Sequence, residues 1–353
     1  GQGIHSVNGL KQNGAEAQMA VWRRNSFGYS VDYDLKIGHN YLLYPFYFLK
    51  MTAFFLFALR RFDCFHFHYG RSLLPGCLDL KILRALKKKV YMELHGSDIR
   101  GSFERSGYKY LELPPTSTRR KSAIRRIVNN VDGIILHDEE LRRHLPVSET
   151  PVYIVPLRMN VDNFAPAYPD ENKRIPTIVH APSKRAVKGT EYILKALEAI
   201  NKPYKLVLVE NKTQEEALAI YKTADIIIDQ LLIGTYGVYT IESMALGKPV
   251  IVYIDEEMKK TFPPELPLVS ADINTIQQKI EMLIDKAEQR KQLGIQSRQY
   301  VERYHDCRKN AAVLFRIYNG KCPVLTGSEA FLYADSMPDS LDNLKGQTEF
   351  EQL

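Results

Sequence analysis

Short apolar runs alternate with longer amphipathic segments along most of the chain, and this pattern predicts an α/β protein. The apolar runs have the length of buried strands, whereas the segments between them carry apolar residues at helical spacing. Strands that are joined through helices build parallel sheets. The predicted strands are FDCFHFHYG, VYMEL, VDGIILH, TIVH, KLVLVE, DIIID and VIVYI. The pattern therefore predicts doubly wound domains, and 353 residues are enough for two of them.

The segment DIIIDQLLIGTYGVYTIESMALGKPVI, residues 225–251, shows the arrangement in its most complete form. An apolar run predicts a buried strand, a loop with Gly234 and Gly237 follows, and a helix is predicted over 238–246. Ligands of such units bind at the carboxyl ends of the strands, where the helix N-terminus offers N–H groups to a phosphate. Glu242, about one turn into the helix, is placed to accept hydrogen bonds from the vicinal hydroxyls of a sugar. An ordinary βαβ unit with an exposed glutamate is the alternative.

Composition and charge indicate a globular protein with two different bodies. Hydrophobic residues make up 45% of the chain and charged residues 25%. Residues 1–160 contain 24 Lys/Arg and 14 Asp/Glu, whereas the remainder contains 24 and 27. A proline-rich segment at 157–175 has little periodicity and indicates a boundary. We therefore predict a first domain at 1–160, a second at 161–319 and a loose C-terminal tail at 320–353.

Cysteine spacing and the chain start indicate a cytoplasmic protein without a metal site. The four cysteines have no C-x-x-C spacing, so neither a zinc site nor a disulfide framework is predicted. The first residues are polar and glycine-rich, unlike a secretory signal. His66 and His68 alternate with phenylalanines in a predicted strand. We interpret them as strand histidines near a cleft, because no carboxylate stands at ligand spacing.

Residues 41–61 form the most apolar and aromatic tract of the sequence, and Lys50 interrupts it. Neither side of the lysine reaches the length of a membrane-spanning helix. Two interpretations stay open, a buried helix of the first domain and a surface that faces a membrane. A cluster of basic residues is either a solvated face or a surface that attracts an anionic membrane or a lipid diphosphate. No nucleic-acid module accompanies the cluster, so nucleic acid is not expected as a partner. The cluster consists of Lys87, Lys88, Lys89, Arg119, Arg120, Lys121, Arg125 and Arg126.

The stretch GTYGVYTIESMALGKPVI resembles the nucleotide-sugar site of family 4 retaining glycosyltransferases. These enzymes have the GT-B fold, two Rossmann-like doubly wound domains that face each other across a cleft. The resemblance implies an acceptor-side first domain, a nucleotide-sugar-binding second domain and closing helices that pack back toward the first. The family has two glutamates with seven residues between them, and Glu242 matches the second, which holds the ribose hydroxyls. The first would fall at Gly234 and is absent, which puts the identity of the donor sugar in doubt.

Two segments of the first domain resemble family turns in the same order along the chain. HGSDIR resembles an H-G-x-D turn, which implies that His95 lies beside the donor sugar and that Asp98 shapes the acceptor side. NGAE resembles a G-G-x-E-like turn that approaches the donor diphosphate, which points to Gly14 in a loop that leads into a helix. We expect the strand that would precede such a loop to lie upstream of Gly1. A terminus without a role is the alternative.

The basic loop APSKRAVKGT resembles the family segment that places an arginine and a lysine against the donor diphosphate. Lys188 matches the lysine, Arg185 is the nearer match to the arginine, and Lys184 is its substitute because the spacing is shorter than usual. Cations at this place would offset the charge that builds on the leaving phosphate. The resemblance thus implies that His95, Arg185 and Lys188 are catalytic, and that Gly14, Lys184, Gly237 and Glu242 bind the donor.

The resemblance implies a metal-independent retaining hexosyltransferase without a cofactor. A UDP- or GDP-sugar would be its donor, and a saccharide or lipid-linked saccharide its acceptor, in cell-surface or lipid-linked polysaccharide synthesis at the inner face of the membrane. A GT-B protein that binds a nucleotide sugar without transfer is one alternative, and a GT-B nucleotide-sugar epimerase is another. A phosphorylase would need a cofactor lysine that the sequence does not identify. An NAD-linked dehydrogenase is disfavoured because no G-x-G-x-x-G follows a strand.

Overall fold

The computed structural model describes residues 1–23, 30–103, 107–114 and 116–338, and the chain divides into two compact units. The first unit comprises Gly1–Ser106, Leu113–Pro156 and Arg308–Leu353. The second unit comprises Gly107–Glu112 and Leu157–Cys307. Each unit has its own parallel sheet and its own hydrophobic core.

The sheet of the first unit has four parallel strands. The described strands of this unit are β1 (Ala20–Val21), β2 (Tyr33–Asp34), β3 (Cys64–His68), β4 (Lys89–Glu93), β5 (Gly133–Leu136) and β6 (Val152–Ile154). β3, β4, β5 and β6 pair in this order, and β1 and β2 form a separate parallel pair. The helices before residue 157 are α1 (Gln2–Gln12), α2 (Tyr44–Arg61), α3 (Leu78–Ala85) and α4 (Thr118–Val128), with 3-10 turns at Tyr41–Leu43, Pro75–Cys77 and Glu139–His144.

The sheet of the second unit has five parallel strands. They are β7 (Thr177–His180), β8 (Lys205–Leu208), β9 (Ile226–Ile228), β10 (Val250–Val252) and β11 (Val269–Ser270). Their order across the sheet is β11-β10-β9-β7-β8. A 3-10 turn at Val161–Asn163 precedes the helices α5 (Arg185–Lys188), α6 (Thr190–Glu198), α7 (Gln214–Lys222), α8 (Val238–Ala245), α9 (Glu256–Lys259), α10 (Ile276–Asp285) and α11 (Ala287–Tyr304). The chain then continues into α12 (Cys307–Tyr318) and α13 (Gly327–Asp335).

Local sequence explains where the helices of the second unit begin and which face they bury. Helix α7 begins with a capping box in which Thr213 Oγ1 accepts from the Glu216 N–H at 3.2 Å, while Glu216 Oε2 accepts from the Thr213 N–H at 2.8 Å. Helix α6 places Ile193 and Leu197, one turn apart, in a core cluster with residues of β7, β9 and β10. The apolar strands and the helical stripes therefore bury the same core.

The chain returns to the first unit at Arg308, before the predicted end of the second domain at residue 319. Val313, Leu314 and Ile317 of α12 share a core cluster with Tyr91 and Ile135 of the central strands. This burial attaches α12 to the first sheet. The structure also differs from the predicted loose tail over residues 320–338, because that stretch contains α13, whereas residues 339–353 of the predicted tail lie outside the described residues. In α13, Phe331 and Ala334 are 2% and 0% exposed.

The N-terminal residues form helix α1 rather than the predicted loop. Glycines at positions 3 and 9 disfavour a helix, yet Ile4 and Leu10 bury their side chains from it. Gly3 lies so close to β3 that a Cβ atom there would be 3.2 Å from His68 Nε2. Tertiary packing of a narrow apolar face therefore outweighs the local preference of the glycines.

Helix α2 has a mostly exposed apolar surface, which contradicts the buried-helix interpretation of residues 41–61. Only Met51, Phe55 and Ala58, a single stripe at helical spacing, are buried. By contrast, Leu49 of α2 is 66% exposed, and Leu42 of the preceding 3-10 turn is 88% exposed. By length and composition Tyr41–Arg61 could cross a membrane, and only 22% of its most apolar window is buried. The composition of residues 41–61 did not indicate how small a part of their surface the rest of the protein buries.

Candidate functional site

The second unit has a topological switch point between β7 and β9. The connection from β7 leads to β8 on one side of the sheet, whereas the connection from β9 leads to β10 on the other side. His180, the last residue of β7, pairs in register with Ile228, the last residue of β9. The loops that follow these strands therefore diverge and leave a crevice at the carboxyl ends, where ligands of open α/β sheets bind. One loop carries Lys188 and the other carries Gly237.

A buried carboxylate connects Lys188 to the helix that follows the glycine loop. Asp229 is the first residue after β9, and its side chain is fully buried. Its Oδ1 pairs with Lys188 Nζ, and its Oδ2 accepts a hydrogen bond from Thr240 Oγ1 at 2.7 Å. Thr240 lies in the first turn of α8. The ammonium group predicted to contact the diphosphate is thus held beside the N-terminal turn of α8.

Gly237 is the N-cap residue of α8, and the space beside it is open. Its backbone is extended, with φ −134° and ψ −166°. A Cβ atom built there would have nothing within 4 Å. The N–H groups of the first helical turn have no partners within a helix, and the helix dipole is positive at this end. The loop therefore leaves room for an anion at the N-terminus of α8.

Glu242 lies further along α8 in a largely buried position, unlike the exposed glutamate of an ordinary βαβ unit. Burial raises its pKa from 4.5 to about 7, and a hydrogen bond from Gln214 opposes this rise. Gln214 Nε2 donates to Glu242 Oε1 at 3.1 Å. The carboxyl group therefore titrates near neutral pH. In its ionised form it can accept hydrogen bonds from two hydroxyl groups.

Arg185 and Lys184 differ from Lys188 in their surroundings. Arg185 donates from Nη1 to the carboxylate of Glu210 at 3.2 and 3.3 Å, and from Nε to Glu191 Oε1 at 3.1 Å. Glu210 follows β8, so these contacts hold Arg185 on the β8 side of its loop. Lys184 is exposed, and within the described ranges its side chain has no hydrogen bond or ion pair. Arg185 would have to exchange partners to bind a diphosphate, whereas Lys184 would not.

Gly234, which stands where the family has its first glutamate, has no room for a side chain. Its φ is +87°, a conformation that favours glycine. A Cβ atom there would be 2.9 Å from the Cβ of Asp255. Asp255 is itself fixed, because its Oδ1 accepts from the Glu257 N–H at the start of α9 at 3.0 Å. The structure thus gives a physical reason for the glycine.

The predicted His95–Asp98 turn lies at the carboxyl end of β4 in the first unit. Asp98 Oδ1 accepts from the backbone N–H groups of His95 at 3.0 Å and Gly96 at 2.7 Å. Burial raises the pKa of Asp98, and the two backbone donors oppose the rise. Asp98 also lines a cavity of about 1530 Å³, to which Phe54 and Phe55 of α2 contribute. The carboxylate therefore shapes both the turn and the wall of the cavity.

Gly14 does not lead into a helix, contrary to the expectation for the NGAE turn. It follows the C-terminal end of α1 with φ +82°, and its N–H donates to the Lys11 carbonyl at 3.0 Å. The N–H of Ala15 donates to the Leu10 carbonyl at 2.9 Å. A glycine in this conformation ends a helix, where carbonyl groups rather than N–H groups are exposed. Gly14 is therefore poorly placed to bind a diphosphate through a helix N-terminus.

Sequence reasoning missed three carboxylate and amide side chains. One sequence feature could have identified Asp229, namely its position directly after a buried strand. No sequence feature identified Gln214, because it contacts Glu242 from another helix. Glu93 is the third. It is fully buried and lies among His66, His68, His95 and His137, which contradicts the argument that no carboxylate is within reach of the first two. It was missed because it belongs to the neighbouring strand.

The residues predicted to form the site therefore belong to two groups. The second unit contains Lys184, Arg185, Lys188, Gly237 and Glu242, and Asp229 connects Lys188 to the helix of Gly237. The first unit contains Gly14, His95 and Asp98. In the first unit the turn after β4 brings His95 and Asp98 together, whereas Gly14 lies at the C-terminal end of α1.

Comparison with known proteins identifies the fold. No protein-family model matches the sequence, and no curated protein matches it. A sucrose-phosphate synthase from Thermosynechococcus elongatus is similar in structure, with a TM-score of 0.66 and 16% identity over 89% of this chain and 91% of that one. A glycosyltransferase from Rickettsia africae has a TM-score of 0.60 and 14% identity over 91% and 94%. HepE of Anabaena, solved with UDP and glucose, has a TM-score of 0.54 and 9% identity over 77% and 81%.

These structures have the GT-B fold, so the comparison confirms the predicted fold class for this chain. At 9–16% identity the likeness shows the fold alone. Membership of family 4 stays a prediction.

Proposed function

We propose that the protein is a retaining glycosyltransferase that moves a sugar from a nucleotide-diphosphate sugar to a hydroxyl acceptor. The observation that carries the proposal is the switch point of the second unit. There Asp229 holds Lys188 beside the first turn of α8, with open space at Gly237 and the half-buried Glu242 further along the helix. A cation and a helix N-terminus suit a diphosphate, and a carboxylate suits ribose hydroxyls.

The proposed reaction depends on electrostatic stabilisation of the leaving group. The bond from the anomeric carbon to the diphosphate breaks, and a bond to the acceptor oxygen forms on the same face. The departing phosphate oxygen takes the proton of the acceptor hydroxyl. Lys188, the N-terminus of α8 and either Arg185 or Lys184 stabilise the charge on the diphosphate. No metal cofactor takes part in this step.

The roles in the first unit rest on the resemblance together with the cavity beside Asp98. We assign His95 to orienting the donor sugar and Asp98 to the acceptor side. The cavity is large enough for a ligand of several rings, and the aromatic residues of α2 give it apolar walls. These features support a saccharide or lipid-linked saccharide acceptor, in cell-surface or lipid-linked polysaccharide synthesis.

A calorimetric and thermal-shift screen against nucleoside diphosphates and their sugars tests the proposal without knowledge of the acceptor. A ligand that binds only the folded state stabilises it by mass action. We expect one base, uracil or guanine, to raise the unfolding temperature and to bind at one site per chain. Glu242→Ala should weaken that binding. The absence of binding by every nucleotide would overturn the proposal.

The exposed surface of α2 and of the 3-10 turn before it supports a cytoplasmic protein that binds the inner face of a membrane. Leu42, Phe46 and Leu49 are 88%, 60% and 66% exposed. Aromatic and aliphatic side chains with Lys50 among them and Arg60 and Arg61 at the end of the helix suit an interface with anionic lipids. Such a location would bring the enzyme to a lipid-linked acceptor.

Flotation with vesicles tests the membrane proposal. Vesicles with anionic lipid should carry the protein upward more than neutral vesicles, and high salt should release it. Leu42→Ser/Leu49→Ser should weaken flotation, whereas Ile175→Ser, at a residue of the second unit that is 53% exposed, should not. Equal flotation of both variants would remove α2 from membrane binding. Resistance to salt and to alkaline extraction would show a spanning helix instead.

Gly234 favours a second candidate, a GT-B protein that binds a nucleotide sugar without transferring it. The absent glutamate grips the donor sugar in the family, and the backbone at Gly234 cannot accommodate it. This candidate predicts nucleotide binding with neither transfer to an acceptor nor hydrolysis of the donor. Incubation of the donor with the protein and a panel of saccharides distinguishes the two candidates. Conversion of the donor to its epimer in the same assay would identify an epimerase.

A further inference from the structure

Two histidines of the first unit point to the same face of β3 and meet a buried carboxylate of β4. His66 and His68 are two residues apart in a strand, so their side chains lie on one face of the sheet. Their rings are stacked with centroids 4.5 Å apart. In the parallel register His68 is paired with Glu93, the last residue of β4. Two imidazoles and a carboxylate therefore converge at one end of the sheet.

The distances within this group match those between the ligands of one metal ion. His66 Nε2 is 3.3 Å and His68 Nδ1 is 3.7 Å from Glu93 Oε2. The three residues each offer a ligand atom within 4.8 Å of the other two. Bonds of about 2.0–2.2 Å to a tetrahedral ion leave its ligand atoms about 3.3–3.6 Å apart. Small side-chain adjustments would thus bring all three atoms to bonding distance.

A hydrogen bond outside the group orients His66 for metal binding. His66 Nδ1 lies 2.6 Å from the hydroxyl of Tyr318. Among the described residues, the polar neighbour of the buried His66 Nε2 is the Glu93 carboxylate, at 3.3 Å. If Nδ1 carries the proton and donates it to Tyr318, the lone pair of Nε2 faces the carboxylate. A cation between Nε2 and the carboxylate oxygen would stabilise both electron-rich atoms. Metal-binding histidines typically make a hydrogen bond of this kind through their other ring nitrogen.

We propose that His66 Nε2, His68 Nδ1 and a carboxylate oxygen of Glu93 bind one divalent transition-metal ion of the Zn²⁺ class. Imidazole with carboxylate is a donor set that suits Zn²⁺, whereas Mg²⁺ and Ca²⁺ prefer oxygen alone. Three protein ligands leave a fourth position open. Both histidines line the cavity of the first unit, and their side chains are 12% and 21% exposed. The ion and a ligand from the cavity can therefore reach the site.

The three proposed ligands are not among the side chains assigned to the transfer step, although two of them contact His95. All three ligands belong to the first unit, whereas the side chains assigned to the diphosphate belong to the second. The ion would replace the 3.0 Å contact between His68 Nδ1 and His95 Nε2. Glu93 also forms a second group with His95 and His137. The experiment must therefore show which histidines bind the ion.

Metal titration of the full-length, tag-free protein tests the inference. After treatment with a chelator the protein should bind one Zn²⁺ per chain in calorimetry, and Co²⁺ should give the absorption bands of a four-coordinate site. His66→Ala should weaken Zn²⁺ binding by at least about 10–100-fold, the loss that even an outer-shell substitution causes. Glu93→Gln should do the same. His39→Ala, at an exposed histidine outside the group, should bind like the parent protein.

Two results would overturn the inference. One is a parent protein without saturable binding of one Zn²⁺. The other is binding that survives His66→Ala but is lost in His137→Ala, since the ion would then lie in the second group. Far-UV circular dichroism and a cooperative unfolding transition like that of the parent serve as the check that each variant is folded. Should the buried Glu93→Gln variant fail this check, His66→Ala and His137→Ala decide the question without it.

Discussion

The pKa of Glu242 gives the proposed donor site a measurable pH signature. Burial raises this pKa from 4.5 to about 7, so between these pH values the folded protein binds more protons than the unfolded chain. The contribution to stability is therefore fully present below pH 4.5 and is lost as the pH rises through 7. At about 1.36 kcal/mol per pKa unit, the change amounts to about 3 kcal/mol.

Replacement of Glu242 by glutamine removes this titration with little change in shape. Urea unfolding of the parent protein and of Glu242→Gln, at steps between pH 5 and 8, gives the difference in the free energy of unfolding. Other titrating groups are common to both proteins and cancel in that difference. We expect the parent to lose up to about 3 kcal/mol relative to the variant across this range. A difference that stays constant with pH would refute the argument from burial.

Nucleotide affinity should carry the same signature if Glu242 binds the ribose. Hydroxyl groups donate to the ionised carboxylate, so affinity should fall by up to about tenfold for each pH unit below 7. The phosphates of the nucleotide titrate alike with both proteins and cancel in the ratio of the two Kd values. Parallel pH curves for the parent and Glu242→Gln would show that the ribose does not contact this residue.

Four further variants test the switch point. Gly237→Ala should change the free energy of unfolding by less than about 1 kcal/mol, because the backbone is extended and the space beside it is open. The added methyl group should nevertheless lower nucleoside-diphosphate affinity at least about tenfold in calorimetry. Unchanged affinity would place the phosphates elsewhere. Lys188→Ala should lower stability by about 3–5 kcal/mol, because Asp229 is left buried without its cation. Lys188→Ala/Asp229→Asn should recover much of this loss but no transfer activity, and active double-variant protein would exclude Lys188 from the mechanism. Gly234→Glu should lower the unfolding temperature without any gain in transfer, because φ is +87° and Asp255 is close; a stable variant with faster transfer would contradict this.

The elements around the proposed donor site could be predicted because their sequence signals are local. An apolar run, a glycine loop and a helix ended by Gly247 specify β9, α8 and the connection between them without reference to the rest of the chain. The HGSD turn is local in the same sense, since Asp98 accepts from N–H groups only two and three residues away. Motifs of this kind can be recognised in a sequence even when their tertiary contacts are unknown.

The features that sequence reasoning missed depend on partners far along the chain. Glu93 meets His68 through the register of β3 and β4, which are separate in sequence, so the spacing of ligands along the chain could not reveal it. Helix α1 forms despite its glycines because β3 lies against it. For α2, an apolar composition predicts that the helix is buried but does not distinguish burial in the protein core from burial in a membrane. The structure covers only the stripe of Met51, Phe55 and Ala58.

The two glycines of the switch-point loop have different structural roles, which the sequence motif alone does not reveal. In the resembled pattern, Gly234 stands in place of a glutamate, and Gly237 comes directly before the helix. In the structure, the positive φ of Gly234 and the nearness of Asp255 require a glycine at this position. A glutamate would fit only if the loop had a different backbone conformation. Gly237 is extended, with open space beside it, so what it provides is room for a ligand. The charge stabilisation that we propose for Lys188 and α8 does not depend on Gly234, whereas the contact with the donor sugar in the resembled family needs the glutamate. If the protein transfers a sugar, we therefore infer that other side chains select it, and the choice of sugar is the property in which this protein should differ most from the enzymes it resembles.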